Sequence, residues 1–288
     1  MSLAVFDMGG SSIKYGLWDQ QTLQQTGSFA TPTSFEELQI QLKQIITPKQ
    51  NQITGVAFSS PGAVNVKNRR IDGISAISYI HQRPIFDELE SYLGLPVAIE
   101  NDANCAGICE MTLGAGKCVE NAIFVVIGTG VGGAIFINNR LYKGAHLFGG
   151  EIGLMHNPNG KTLSYNGTAV NTAKRFSEQY GDKITGIELF EQKEAGDKRA
   201  AQAIESMYNH LADSLYNIQV SLDPEMVILG GGISARPELA EELQTRLQLL
   251  LTKEGVAEIL PEVRSCHYQN NANLIGAAIN FESLQKNR

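Results

Sequence analysis

The sequence predicts an α/β fold made of two similar lobes, on two observations. Apolar segments with strand and helix periodicity alternate along the chain, as in sheets that are covered by helices. A strand, a glycine-rich turn and a second strand occur at 3–18 and again at 122–137. No linker rich in Pro, Gly or Ser separates these two copies. Two related α/β lobes are therefore the expected architecture.

The individual elements follow from the same periodicities. In the first part of the chain, strands are predicted at 3–7, 13–18, 53–59 and 97–99, with helices at 34–46, near 84–93 and from Ala103. In the second part, strands are predicted at 122–127, 133–137 and 226–229, with helices at 198–221 and 237–251.

Composition excludes several classes of function. Thirty acidic residues face 23 basic ones among 288, and no segment concentrates Lys and Arg, so no nucleic-acid partner is expected. No run approaches the ~20 apolar residues of a membrane span, and the apolar N-terminal run is too short for a signal peptide. We therefore expect a soluble, cytoplasmic protein. Its four cysteines, at 105, 109, 118 and 266, lack partners at zinc-ligand spacing and are expected to be small buried thiols.

The glycine-rich turn Gly128–Gly133 has the G-x-G-x-x-G spacing of dinucleotide-binding proteins. That fingerprint requires a following helix, whereas Ala134–Ile137 reads as a strand, which disfavours an NAD-dependent dehydrogenase. A glycine-lined hairpin can still bring backbone N–H groups against phosphate oxygens. The alternative is a hairpin turn with no ligand.

Two further glycine clusters also follow apolar strands. The first turn begins with Asp7, which can hold hydrated Mg²⁺, and it contains Ser11, Ser12 and Lys14, which can meet phosphate charge. Gly230–Gly232 follows a buried strand and leaves room for a flat ligand such as adenine. Three such turns together favour phosphate binding over turn geometry alone.

A polar cluster, Glu100–Asn104, lies between a predicted strand and a helix. Asn101 can bind sugar hydroxyls, and Asp102 can accept a hydroxyl proton during phosphoryl transfer. The alternative is that either residue only caps the helix. Glu151 lies in a predicted glycine-rich turn, where it could accept hydrogen bonds from sugar hydroxyls or be an ordinary loop acid.

Taken together, these motifs resemble the ROK family of sugar kinases and repressors, which belongs to the actin-like ATPase superfamily. The matching segments are Asp7–Lys14, Ser60–Val64, Glu100–Asn104, Gly128–Gly133, Gly149–Gly153, Gly230–Ile233 and Leu274–Ala278. The resemblance implies a two-lobed, actin-like (ribonuclease H-like) ATPase fold with an active-site cleft between the lobes. It assigns 1–112 plus 272–288 to a sugar-binding lobe and 113–271 to a nucleotide-binding lobe.

The same resemblance implies an ATP- and Mg²⁺-dependent sugar kinase, expected as a homodimer. Asp102 matches the catalytic base that deprotonates the sugar 6-hydroxyl, and Gly62, Asn101 and Glu151 match further sugar contacts. The positions that match nucleotide or phosphate contacts are Asp7, which is also the expected Mg²⁺ ligand, Gly9, Gly10, Ser11, Ser12, Lys14, Thr129, Gly130, Gly231 and Gly232.

Two departures from the family pattern concern zinc and the sugar. Leu154 stands where relatives carry a His, and 159–167 lacks the cysteines of their zinc loop, so no zinc site is expected. A sugar-binding Glu of the family is replaced near Val170 or Asn171. These changes predict an apolar pocket at the anomeric end of the sugar.

Within the family, 97–105 and 231–237 resemble bacterial β-glucoside kinases, which also lack the zinc loop. The alternatives are a glucokinase, an N-acetylmannosamine kinase or a non-catalytic sugar-sensing regulator. The chain starts directly at its first strand, without the helix-turn-helix of the repressors, which favours a kinase.

Overall fold

The structure is a computed structural model that describes residues 2–181 and 183–286. These residues form two compact units. Unit 1 contains the chain up to Thr112, Gly144–Phe148 and the chain from Asn270; unit 2 contains Leu113–Lys143 and Gly149–Gln269. Residues 144–148 thus belong to unit 1, although they lie within the range predicted for the second lobe.

The strands, in chain order, are β1 (Ser2–Met8), β2 (Ser12–Asp19), β3 (Thr22–Ala30), β4 (Ile53–Ser60), β5 (Ala63–Asn65), β6 (Arg70–Asp72), β7 (Val97–Asn101), β8 (Ala122–Ile127), β9 (Val131–Ile137), β10 (Arg140–Tyr142), β11 (Met226–Gly230) and β12 (Glu262–Ser265). The helices are α1 (Phe35–Ile46), α2 (Ile85–Leu93), α3 (Asp102–Thr112), α4 (Leu163–Asn166), α5 (Ala169–Tyr180), α6 (Gly186–Glu194), α7 (Lys198–Leu222), α8 (Glu238–Lys253) and α9 (Ala272–Lys286).

Each unit is built on a five-stranded sheet of the same topology. In unit 1 the strand order is β3-β2-β1-β4-β7, and in unit 2 it is β10-β9-β8-β11-β12. In both sheets the first three strands pair antiparallel and the last two join in parallel. This repeated topology confirms the predicted α/β fold and the internal repeat.

Apolar residues of the strands and helices form a separate core in each unit. In unit 1, Phe6 and Phe58 stack between neighbouring parallel strands with ring centroids 5.3 Å apart, and α1 and α2 cover them through buried Leu38 and Leu89. In unit 2, the long helix α7 buries one face against the sheet, as its amphipathic pattern predicts. No helix in the described ranges has the length and apolar character needed to cross a bilayer.

The cysteine prediction is correct for two residues and wrong for one. Cys105 and Cys109 are buried in α3, whereas Cys118 is exposed and Cys266 is half-buried. Cys118 lies in the connection between α3 and β8, where Lys117 and Glu120 are exposed as well. Helix α3 begins at Asp102, one residue before the predicted start at Ala103.

Close helix packing in unit 1 depends on a glycine. A Cβ atom at Gly276 of α9 would overlap the carbonyl oxygen of Cys105 in α3. Because the obstacle is backbone, it cannot move aside as a flexible side chain would. The two helices therefore touch along their main chains at this point.

We predict that Gly276→Ala destabilises the protein by about 1–3 kcal/mol, the usual cost of overpacking. In an uncrowded helix, replacing Gly by Ala stabilises the protein by about 1 kcal/mol. The sign of the change in the free energy of unfolding therefore distinguishes the two cases. Chemical denaturation would measure the free energy of unfolding. Gly128→Ala is the matched control, since nothing lies within 4 Å of the added methyl. A Gly276→Ala protein as stable as the parent would contradict the packing argument.

Candidate active site

The candidate site residues of unit 1 lie where parallel strands end. Asp7 of β1 pairs in register with Ser59 of β4, and Ser59 and Ser60 pair with Glu100 and Asn101 of β7. The carboxyl ends of parallel strands share one edge of a sheet, which is the usual place for ligands in α/β folds. The sheet register therefore brings the two polar motifs of the sequence together.

Asp7 is held by two neutral donors. Its Oδ1 accepts hydrogen bonds from Ser59 Oγ (2.7 Å) and Asn273 Nδ2 (3.0 Å). Both bonds reach the same oxygen, so Oδ2 is the one placed to meet a hydrated cation. A carboxylate oriented in this way fits Mg²⁺, which prefers one or two carboxylates together with water and phosphate.

Hydrogen bonds at Gly9 fix the turn after Asp7, and the residues that follow Gly9 in the turn are exposed. Gly9 N donates to Ser12 O (3.1 Å), and Thr31 Oγ1 donates to Gly9 O (2.6 Å). Gly10, Ser11 and Ser12 are exposed. Lys14 follows on β2, opposite Asp7 in the antiparallel register. Ser11 and Ser12 thus carry hydroxyl groups on an exposed turn, where phosphate oxygens can be bound.

Asn101 combines two structural tasks. Its Oδ1 accepts from Asn104 N (3.1 Å), which caps α3, and its Nδ2 donates to Gly62 O (3.1 Å). Gly62 has φ +98°, and a Cβ there would crowd Ile71 and His81, so only glycine fits. The capping alternative raised for Asn101 is therefore present in the structure, together with a link to the Gly62 loop.

Asp102 is the first residue of α3 and is exposed, and its Oδ1 accepts a hydrogen bond from Ala103 N (2.8 Å). Beneath it, the buried Glu100 holds the segment by accepting from Asn101 N (2.8 Å) and Asn104 Nδ2 (2.9 Å). Sequence reasoning gave no role to Glu100, because its burial depends on the sheet. The arrangement presents one exposed carboxylate on a rigid support, which suits a general base.

Cys105 lies directly behind this cluster. Burial raises the pKa of its thiol well above the usual value, and the nearby charges of Glu100, Asp7 and Asp102 add to the shift. The thiol is therefore a neutral packing group rather than a nucleophile.

In unit 2, two side chains that lie far along the sequence brace the Gly128–Gly133 turn. Ser164 Oγ accepts from Val131 N (3.0 Å), and Asn171 Nδ2 donates to Thr129 O (3.3 Å) and to Ser164 O (2.8 Å). Gly130 lies next to the Ser164 side chain. Ser164 has no sequence signal of its own, since its partners are set only by the fold.

The third glycine cluster lies against the end of β8. Gly231 has φ +87°, and a Cβ there would overlap Ile127 O, so the two main chains are in contact. A cavity of about 640 Å³ opens beside this turn, and both Thr129 and Gly232 line it. The turns around 129 and 231 therefore face one cavity.

Val170 also lines this cavity. The sequence predicts the Val170 region at the anomeric end of the sugar, and in the structure Val170 shares a wall with Thr129 and Gly232. Val170 reaches this wall because it lies in the first turn of α5, which begins at Ala169.

Glu151 is exposed in a segment fixed by glycines on both sides. Gly150 has φ +97°, and its Cβ would lie 2.5 Å from Gly133 O; a Cβ at Gly153 would overlap Val131 O. The segment is thus held against β9, with the Glu151 side chain exposed. Leu154 follows in a 3-10 turn, 57% exposed.

Residues 3–283 match the ROK family. The chain is 31% identical to a β-glucoside kinase of Listeria monocytogenes, over 98% of this chain and 97% of that protein. It is 28% identical to an N-acetylmannosamine kinase of Vibrio vulnificus, over 98% of each.

Among solved structures, a ROK family protein from Streptococcus pneumoniae TIGR4 in complex with sucrose superposes with a TM-score of 0.92. It is 35% identical to this chain, and the match covers 100% of both. A match of the family over nearly the whole chain, joined to the same fold, leaves one assignment: the chain belongs to the ROK family.

Proposed function

We propose that the protein is an ATP-dependent kinase that phosphorylates the 6-hydroxyl of a hexose or hexoside. Family membership and relatives named as sugar kinases support this activity. The observation that carries the assignment is the exposed Asp102 carboxylate at the end of β7, beside Asn101, which is tied to Gly62.

In the proposed reaction, Asp102 accepts the proton of the sugar hydroxyl as its oxygen attacks the γ-phosphorus. The bond from that phosphorus to the β–γ bridging oxygen breaks, and ADP leaves with the electron pair. Asn101, the Gly62 loop and Glu151 bind the sugar hydroxyls. A base of this kind contributes about 10²–10⁴-fold to the rate.

Each unit carries residues that match the family's nucleotide or phosphate contacts. In unit 1, the exposed turn Gly9, Gly10, Ser11 and Ser12 with Lys14 would meet phosphate oxygens; in unit 2, Thr129, Gly130, Gly231 and Gly232 would hold the rest of ATP. Asp7 would hold Mg²⁺ through water, and the ion would neutralise charge on the transferring phosphate. Unit 1 would then be the sugar-binding part and unit 2 the nucleotide-binding part.

The alternative function, a non-catalytic sugar sensor, requires only some of the same residues. A sensor needs the sugar contacts but no exposed base and no phosphate turns. Sugar-dependent release of ADP separates the two functions. The homodimer and the cytoplasmic location stay predictions, and light scattering would test the first of them.

We predict that Asp102→Asn loses about 10²–10⁴-fold in kcat while it still binds sugar, because the amide cannot accept the proton. A coupled ADP-release assay would measure turnover, and calorimetry would measure sugar binding. Glu36→Gln, which neutralises an exposed acid in α1, is the control and should match the parent. An Asp102→Asn enzyme with more than about a tenth of the parental kcat would refute the assignment of the base.

In this chain, hydrogen bonds between asparagine side chains hold together the loop that carries zinc in many relatives. Asn166 Nδ2 donates to Asn157 Oδ1 (2.9 Å) and Asn159 Oδ1 (3.0 Å), and Asn159 Nδ2 returns a bond to Asn166 Oδ1 (3.1 Å). Asn157 Nδ2 then reaches Ser214 Oγ of α7 (3.1 Å). In the described ranges, no group of three or more His, Cys, Asp or Glu side chains is arranged to hold a metal ion. We propose that this amide network takes the place of zinc.

We therefore predict that purified protein contains no stoichiometric zinc and that EDTA leaves its Tm unchanged, although turnover requires Mg²⁺. Asn166→Ala should lower the stability by about 1–3 kcal/mol, because buried partners lose their hydrogen bonds. Asn217→Ala, on the exposed face of α7, is the control. One tightly bound zinc per chain, or a Tm that falls with EDTA, would show that the loop depends on metal.

For the sugar, we propose a β-glucoside or disaccharide. A relative with 31% identity is named a β-glucoside kinase, and the Streptococcus pneumoniae structure is a complex with sucrose, a disaccharide. Val170 lines the cavity of unit 2 together with Thr129 and Gly232. The apolar surface expected at the anomeric end therefore rests on the exposed Leu154. The N-acetylmannosamine kinase relative keeps that sugar as the second candidate, with glucose as a third.

We predict that kcat/KM for a β-glucoside such as cellobiose is at least equal to that for free glucose. A site that reads the anomeric hydroxyl with buried polar groups would reject the glucoside by up to ~10⁴-fold. Leu154→Ala should raise KM for the glucoside several-fold, because an apolar contact worth ~0.8 kcal/mol per CH₂ is lost, and leave KM for glucose unchanged. Leu249→Ala, equally exposed but on α8, is the control. Turnover of unsubstituted hexoses or N-acetylmannosamine alone would exclude the open anomeric pocket.

A further inference from the structure

The cavity of unit 2 points to an unexpected breadth of phosphoryl donor. We propose that the donor site selects a purine nucleotide by its phosphates and the shape of its base, so that GTP and ITP serve as donors alongside ATP. The inference rests on the proposed kinase function and concerns the same site. It comes from what the cavity wall offers to the edge of a base.

The wall of the cavity is mainly apolar. Its apolar side chains are Ile127, Ala169, Val170, Ile187, Phe190, Ile233 and Ala235. Val170 and Ile187 stand at the starts of α5 and α6 and are 48% and 72% exposed. Large apolar side chains left open to water in a concave wall gain free energy when a flat ligand covers them. A purine ring of any kind provides that cover.

Two of the three polar side chains in the described wall are already hydrogen-bonded within the protein. Thr185 Oγ1 accepts from Glu188 N (3.3 Å) in the capping box of α6. Arg236 Nε donates to Glu238 (2.8 Å), its NH2 group donates to Glu194, and its guanidinium lies 4.0 Å from the centre of the Phe190 ring. Thr129, at the Gly128–Gly133 turn, is the remaining one. No Asp, Glu, Asn, Gln or His belongs to the described lining, and a threonine hydroxyl can donate or accept, so it fits the amino group of adenine and the carbonyl of guanine alike.

The backbone of the wall does not separate the purines either. The first-turn amides of α6, at Gly186 and Ile187, have no acceptor within the helix and so can donate to a ligand. Adenine and guanine both carry the N7 acceptor, and they differ in the amino group or carbonyl at position 6. A donor at N7 binds either base, and it binds hypoxanthine equally.

The expected selectivity follows from this chemistry. A site with buried polar groups that pair with its substrate rejects an analogue by ~10⁴–10⁵-fold, whereas an apolar pocket rejects an added polar group by only ~10². The wall of the cavity in unit 2 is of the apolar kind. The preference for ATP over GTP or ITP should therefore stay below about a hundredfold.

The first test measures kcat/KM for ATP, GTP and ITP with Mg²⁺ and a saturating sugar that ATP phosphorylates. Values for GTP and ITP within about a hundredfold of that for ATP are expected, and a larger preference for ATP overturns the inference. If ATP itself supports no turnover with any sugar, the proposed kinase function fails instead. The shift in Tm that ADP, GDP or IDP produces on binding gives the same comparison without turnover.

The second test locates the effect in the wall. Ile187→Ser and Val170→Ser should raise KM for ATP and for GTP several-fold and by the same factor, with kcat unchanged, because the lost contact is with the ring and not with its edge. Val220→Ser removes an exposed valine of α7 outside the cavity and should leave both KM values at the parental level. A variant of the wall that raises KM for ATP and not for GTP would show base-specific reading and overturn the inference.

Discussion

Main-chain contact at glycine is the constraint on which the rest of the structure depends. Gly231 lies on Ile127, Gly153 on Val131, and Gly150 faces Gly133 so closely that no side chain fits between them. In unit 1 the same kind of contact joins α9 to α3 at Gly276. The three contacts in unit 2 lie at or near strand ends, next to candidate site residues, whereas the Gly276 contact joins two helices. The glycines therefore fix the positions of side chains that they do not touch.

The repeated sheet explains why polar motifs recur along the chain. Each sheet places two antiparallel strands and a sharp glycine turn beside parallel strands whose carboxyl ends share one edge. In unit 1 that edge carries Asp7 and Asn101, and in unit 2 it carries Thr129 and Gly231. The two sheets thus share one topology, while the residues at the edge differ.

Much of this fold could be predicted from local pattern. The strands β1, β4 and β8 are apolar runs, and α7 has strong helical periodicity, so their predicted bounds differ from the observed ones by only a few residues. The strand β3 was missed because its sequence, Thr22–Ala30, is polar and half-exposed at the sheet edge. The helix α9 was missed because it is buried on most sides and has little amphipathic pattern. Pairing in the sheet and burial between elements supply what local sequence lacks.

The candidate site divides in the same way. Asp7, Asn101, Asp102 and Glu151 could be found from residue type and their place next to glycines or strand ends. Ser164 and Glu100 could not, since their roles arise from hydrogen bonds to backbone that only the folded chain brings near. For Val170, nothing in its neighbourhood in the sequence shows that the first turn of α5 will line a wall with Thr129 and Gly232.

The amide network of Asn157, Asn159 and Asn166 also sets how the protein ages. A loop held by thiolates and zinc is lost to oxidants and chelators, whereas amides respond to neither. Their weakness is slow hydrolysis, since asparagine is a thermolabile residue. Asn159 and Asn166 each precede a glycine, but Asn159 is exposed beside Gly160, with φ +73°, whereas Asn166 is 2% exposed. Deamidation should begin at Asn159, where a new carboxylate would replace the amide that donates to Asn166, so the loop would loosen with storage time and heat rather than with the supply of metal.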